Sequence, residues 1–152
     1  MREIGRIQDQ LQRAFDGNAW HGPSLTALLG DVKPEQAAGK PIPGVHSIWE
    51  LVLHIIAWER VVVRRLSGEA IVDLPESENF PTVRDAGQAA WDRTKQELGR
   101  AHQELEGAIG RLEDSELNAS VPGQRYNVYV MLHGVVQHNL YHAGQIAILK
   151  KA

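Results

Sequence analysis

Residues 127–149 read NVYVMLHGVVQHNLYHAGQIAIL. Along this stretch Val128, Met131, Val135, His138, His142, Gln145 and Leu149 recur in alternating steps of three and four, the spacing of a helix seam packed inside a bundle. Asn127 is placed to cap the helix, which the pattern carries to about Lys151. His138 and His142 lie one turn apart on that seam. Side chains at i and i+4 leave the same face, so a ring nitrogen from each can converge on one ion. Two imidazoles buried among Val, Met and Leu need partners of some kind. These are either core hydroxyls and carbonyls or a metal.

Working outward, three more long helices complete a bundle. Ile4, Ile7, Leu11, Ala14 and Phe15 give residues 3–16 one apolar face, closed by Gly17 and Asn18. Ser47 and Glu50 match a capping box that starts a helix from Ile48 to about Leu66, where Ser67-Gly68 stops it. Its middle, LVLHIIAWERVVV, is apolar on nearly every side, and His54 lies inside it. Thr82 and Asp85 cap a third helix to roughly Leu112, with Trp91, Leu98, Leu105 and Leu112 seven residues apart. A short helix is expected from Pro23 through Leu29. Residues 30–44, 69–81 and 113–126, which hold most of the prolines, read as connections. The fold class is all-α: a four-helix bundle, antiparallel or up-down-down-up, with long crossover connections, a short extra helix and one domain over 1–152.

Composition narrows the function classes. The chain has no cysteine, so any metal is held by histidine and carboxylate, and a cysteine nucleophile is excluded. The net charge is -3 and the basic residues are scattered, which removes the electrostatic footprint of a nucleic-acid or membrane-surface protein. The charged N-terminal stretch MREIGRIQDQLQRAF has no apolar signal core, and the expectation is a cytoplasmic protein. No nucleophile elbow or phosphate-binding glycine loop is present.

His54 joins His138 and His142 as the candidate third ligand, since helices two and four carry their histidines on inward seams near mid-length. Asn139 stands where the zincin motif places its general-base Glu, which excludes peptidase chemistry of that type. Three neutral imidazoles leave a divalent ion its full charge, enough to ionise a bound water or a thiol at an open position. Trp20, His21, Glu50, Trp58 and Gly134 are candidate pocket residues. Trp20 and His21, like His46, stand next to helix starts where they rim a mouth or are ordinary loop residues. Glu50 orients His54, acts as a base or simply caps its helix; Trp58 walls the pocket or is core; Gly134 leaves room beside the metal or permits close packing. His102 is placed on the surface or seam edge of the third helix with no role, and His133 projects away from the ligand face.

The stretches 20–24 (WHGPS), 46–58 (HSIWELVLHIIAW) and 137–146 (QHNLYHAGQI) resemble the DinB-like, or YfiT-like, four-helix-bundle metalloproteins of bacteria, which include thiol-dependent S-transferases. The resemblance implies a divalent metal, zinc, nickel or iron, on the positions matching His54, His138 and His142. The family often has Arg in an H-R-G-Q-I run where this chain has Ala143, which puts any function of that arginine in doubt. It also implies a single-domain transferase, the chain being too short for the second domain of related isomerases. The leading expectation is a metal-dependent S-transferase that activates a low-molecular-weight thiol toward a small-molecule electrophile. The alternatives are a hydrolase using metal-bound hydroxide and a non-catalytic, stress-related metal-binding protein; a homodimer through apolar helix faces is also expected.

Overall fold

The computed structural model describes residues 2–152, and among them helix is the dominant structure and no strand forms. Four long helices make the bundle: α1 (Glu3–Phe15), α4 (Ile48–Leu66), α6 (Gln88–Gly110) and α7 (Val128–Leu149). Three short helices lie between them: α2 (Leu25–Leu29), α3 (Pro34–Ala38) and α5 (Glu76–Asn79). A 3-10 turn, Asp114–Asn118, follows α6.

The caps explain the boundaries. Ser47 Oγ accepts from the Glu50 N–H at 3.1 Å while the Glu50 carboxylate accepts from the Ser47 N–H at 2.7 Å, the reciprocal arrangement expected of that pair. Asn127 Oδ1 accepts from the Val130 N–H at 3.0 Å and opens α7. The start expected at Thr82 is displaced to Gln88. Val83 packs against the core and Asp85 accepts from the Gly87 N–H, so residues 81–86 run without helix until Gly87 provides the turn. Helix α3 falls inside the connection expected over residues 30–44. Pro34 sits at its first position, where a missing N–H costs nothing.

Side-chain pairs fix the directions. Trp49 meets Thr94, Glu59 meets His102 and Arg60 meets both Glu97 and Glu104, so α4 and α6 run parallel. His54 meets His138 and His142 while Glu59 meets Asn139, so α7 runs opposite to α4. Helix α1 opposes α6: the Glu3 N–H reaches Asp114 at one end and Phe15 stacks on His102 further along. The order is up-down-down-up, and the parallel α4–α6 pair obliges residues 67–87 to return the length of the bundle.

The core has two apolar clusters with a polar layer between them. One gathers around Trp49, Trp91, Ile55 and Leu98, the other around Ile4, Leu11, Leu105 and Leu132. The indoles find acceptors, Trp49 on Thr94 Oγ1 and Trp91 on the Val32 carbonyl, as buried indole N–H groups require. Between the clusters lies Glu59, 0 % exposed, whose Oε1 accepts from Asn139 Nδ2 at 2.8 Å and lies 3.1 Å from His102 Nδ1. His102 is thus core, not surface. The seam reading centred α7 on His138, but the more buried residue is Asn139, because α1 and α2 cover the other flank of α7.

Candidate metal centre

His54 comes from α4, and His138 and His142 from consecutive turns of α7, where the antiparallel α4–α7 pair brings their seams together. One ligand nitrogen from each lies within 4.8 Å of the others, and His54 Nε2 and His138 Nε2 are 3.0 Å apart. Three nitrogens on a tetrahedral ion at ~2.0–2.1 Å stand about 3.3 Å from one another, so the set needs only small rotamer adjustments to close on a metal. Among the described residues the cluster contains three histidines and no carboxylate.

The outer nitrogens fit the same reading. His54 Nδ1–H donates to the Asn79 carbonyl at 2.8 Å and His142 Nδ1–H donates to Gln145 Oε1 at 2.6 Å. Each bond fixes the tautomer that leaves Nε2 with a free lone pair, the orientation a ligating imidazole needs. His138 Nδ1 is buried without a partner, as is the Oδ1 of neighbouring Asn139, and the Asn139 side chain makes the His138 ring more basic. For His54 and His142 the lone pairs therefore face inward and the protons outward.

Electrostatics keep the rings neutral. Burial is the largest cause for all three, and for His138 it combines with the nearby His142 and His54 to push the imidazole down to about 4. Burial also lowers His54 against the opposing Asn79 carbonyl, and lowers His142 against Gln145. Three neutral imidazoles this close together form a donor set that could hold a metal ion.

The crossover covers the centre. Phe80 stacks between His54, with ring centroids 4.1 Å apart, and His46, 3.7 Å apart, while Asn79 Oδ1 accepts from Trp58 Nε1 at 2.8 Å. Asn79 and Phe80 lie in a stretch read only as a connection. The available signal was Phe80 itself, an aromatic residue in an otherwise polar, proline-flanked segment.

The other candidate residues divide. Trp58 and Gly134 line one cavity of about 250 Å³ together with His138, and a Cβ added at Gly134 would meet open space. Trp20 and His21 do not join it; they line a groove against Val136 and Leu140 on another flank of α7, with Trp20 fully exposed. Glu50 is engaged by its cap and by Lys40 at 3.0 Å, which leaves the capping account. His46 reaches the centre through Phe80, His133 packs on Tyr129 away from it, and Ala143 is core.

No helix among the described residues is long and apolar enough to cross a membrane. The chain matches no curated protein and no solved structure. The family model of the DinB superfamily matches residues 19–146, a span that contains all three histidines and the crossover that covers them. By that match, the chain belongs to the DinB superfamily.

Proposed function

We propose that the protein is a metal-dependent S-transferase that joins a low-molecular-weight thiol to a small electrophile. The observation that carries this reading is a neutral three-histidine set beside an apolar cavity, with no carboxylate to act as a base in the cluster or the cavity lining among the described residues. Glu50 is tied to its cap, and Glu59 is held in the core by Asn139 and His102. Activating water calls for such a base or for a strongly acidifying metal, whereas a thiol, with an ordinary pKa near 8.5, needs far less help. Since the chain has no cysteine, the sulfur comes from a second substrate.

When bound, the divalent ion supplies Lewis acidity that holds the thiol in its thiolate form. The chain's own residues do the rest. The Asn79 carbonyl and Gln145 hold His54 and His142 in the ligating tautomer. Trp58, Val62, Met131 and Val135 bind the apolar part of the electrophile and exclude water. In the transfer, sulfur forms a bond to the electrophilic carbon as the carbon–leaving-group bond breaks; the leaving group takes the electron pair, and the thiol proton goes to solvent.

The test is elemental analysis of the purified protein beside His54→Ala and His142→Ala, followed by conjugation assays with bacillithiol, mycothiol and glutathione against model electrophiles. The expected result is about one metal per chain, lost in both variants, and conjugation that tracks metal content. Equal metal in all three proteins, or no metal-dependent conjugation with any thiol, refutes the proposal; product formed without thiol assigns hydrolysis instead. We also propose a homodimer, supported by exposed Tyr141 and Ile148 seven residues apart on α7, which light scattering tests.

A further inference from the structure

The cavity beside His138 has a second pole. Arg65, on the last turn of α4, lines it and is only 5 % exposed, yet no carboxylate among the described residues pairs with its guanidinium. Its contacts are neutral. Nε donates to the Ile71 carbonyl at 3.0 Å, Nη2 to Ile71 and Val72 carbonyls at 2.6 and 3.3 Å, and Nη1 to Tyr126 Oη at 2.9 Å. A guanidinium carries five N–H groups, and these bonds use four. The fifth, on Nη1, has no partner among the described residues. Tyr126 accepts from Arg65, which leaves its own O–H to donate, and Tyr126 also lines the cavity. A buried cation without a counter-charge is costly, and the loop carbonyls that hold it solvate the charge without neutralising it.

We infer that Arg65 and Tyr126 form a subsite for the carboxylate of an acidic substrate whose other end reaches the histidine centre. The inference rests on the metal-centre reading for that other end and deepens it by naming the substrate class. Two free donors side by side, Nη1–H and the tyrosine O–H, match the two oxygens of a carboxylate. The wall between the poles is apolar: Val62, Val130, Met131 and Val135. Trp58 links them, with its ring 5.7 Å from the Arg65 guanidinium carbon and 6.1 Å from the His138 ring. Seven residues separate Trp58 from Arg65 on α4, about 10 Å of helix at ~1.5 Å per residue. The ligand that fits is therefore a slender ω-substituted carboxylic acid with an aliphatic middle. Its size is modest, since about 250 Å³ lies below the usual ~300–1,000 Å³ of drug-sized sites.

The experiment titrates the purified protein, with and without chelator, with hexanoate and with 1-hexanol, following the Trp58 indole and Gly134 amide cross-peaks by nuclear magnetic resonance. Hexanoate is expected to bind about tenfold more tightly than hexanol, the worth of charge-assisted hydrogen bonds in a desolvated site. Tyr126→Phe is expected to weaken hexanoate about fivefold and leave hexanol unchanged. Arg65→Met is expected to abolish the preference. Because Arg65 also clamps residues 71–72 and its loss can unfold the segment, Tyr126→Phe is the deciding variant. Equal affinity for acid and alcohol, or hexanoate binding indifferent to Tyr126→Phe, overturns the inference. Neither probe carries a thiol, so this failure leaves S-transfer standing, and absence of metal or transfer leaves the anion preference standing.

Discussion

Acidifying the metal-free protein tests whether the histidine centre is neutral and strained against protonation. His138 is held at about 4 by burial and by its two histidine neighbours, against 6.5 in an unfolded chain. The unfolded chain therefore takes up this proton first. Its contribution to stability is complete above pH ~6.5 and is lost progressively as pH falls toward ~4. At ~1.4 kcal/mol per pH unit the full difference is about 3 kcal/mol, trimmed to about 2 by pH 4.5 because the ring keeps some contact with solvent. His54 and His142 are shifted in the same direction and add to the loss. The assay is urea unfolding of chelator-treated protein at pH 7.5, 6.5, 5.5 and 4.5, beside His138→Gln. Carboxylates held low by their partners, such as Asp114 and Glu97, titrate alike in both proteins, so the difference between the two isolates His138. The wild type is expected to lose about 2 kcal/mol more than the variant across this window. Parallel curves for the two proteins, or a midpoint that does not move with pH in the wild type, would refute the reasoning.

Stripping a bound metal with chelator at pH 7.5 is expected to lower the melting temperature by about 8–16 °C when free metal stood near a thousand times its dissociation constant, as scanning calorimetry would record. Gln145→Leu removes the acceptor that orients His142 and is expected to weaken zinc about 10- to 100-fold in competition with a chromophoric chelator, leaving helicity intact. Glu59→Leu strands Asn139 Nδ2 and His102 Nδ1 inside the core, with an expected cost of about 2–5 kcal/mol in urea unfolding; an unchanged midpoint would mean that both donors find other acceptors.

Much of this structure was legible from local pattern. The Ser47–Glu50 box and the Ser67-Gly68 stop bracket α4 where periodicity expects it, and the i, i+4 spacing of His138 and His142 fixes their shared face. What escaped depends on neighbours distant in sequence. Glu59 looks solvated inside Trp58-Glu59-Arg60, yet it falls between Ile55 and Val62 on the buried stripe, just as His102 falls between Leu98 and Leu105. A charged residue on an apolar stripe was the available signal, and the partner that justifies it lies on another helix. Helix α5 spans four residues, too few for any period to register, and Asn79 reaches His54 through its backbone carbonyl, an atom that every residue type possesses. Arg65 was hidden for the same reason: its acceptors are mostly main-chain oxygens, invisible to a reading of side-chain types.

The return of residues 67–87 along the bundle, forced by the parallel α4–α6 pair, divides labour along the chain. The ligands ride on helices whose burial holds the fold together, while the carbonyl that orients one of them, the ring that shields it and the carbonyls that hold Arg65 all belong to the returning strand of chain. Substitutions in that strand can therefore retune the basicity of the centre and the shape of its ligand without disturbing a single core contact between the long helices. In a bundle of this order, chemistry can diverge in the connection while the architecture stays fixed.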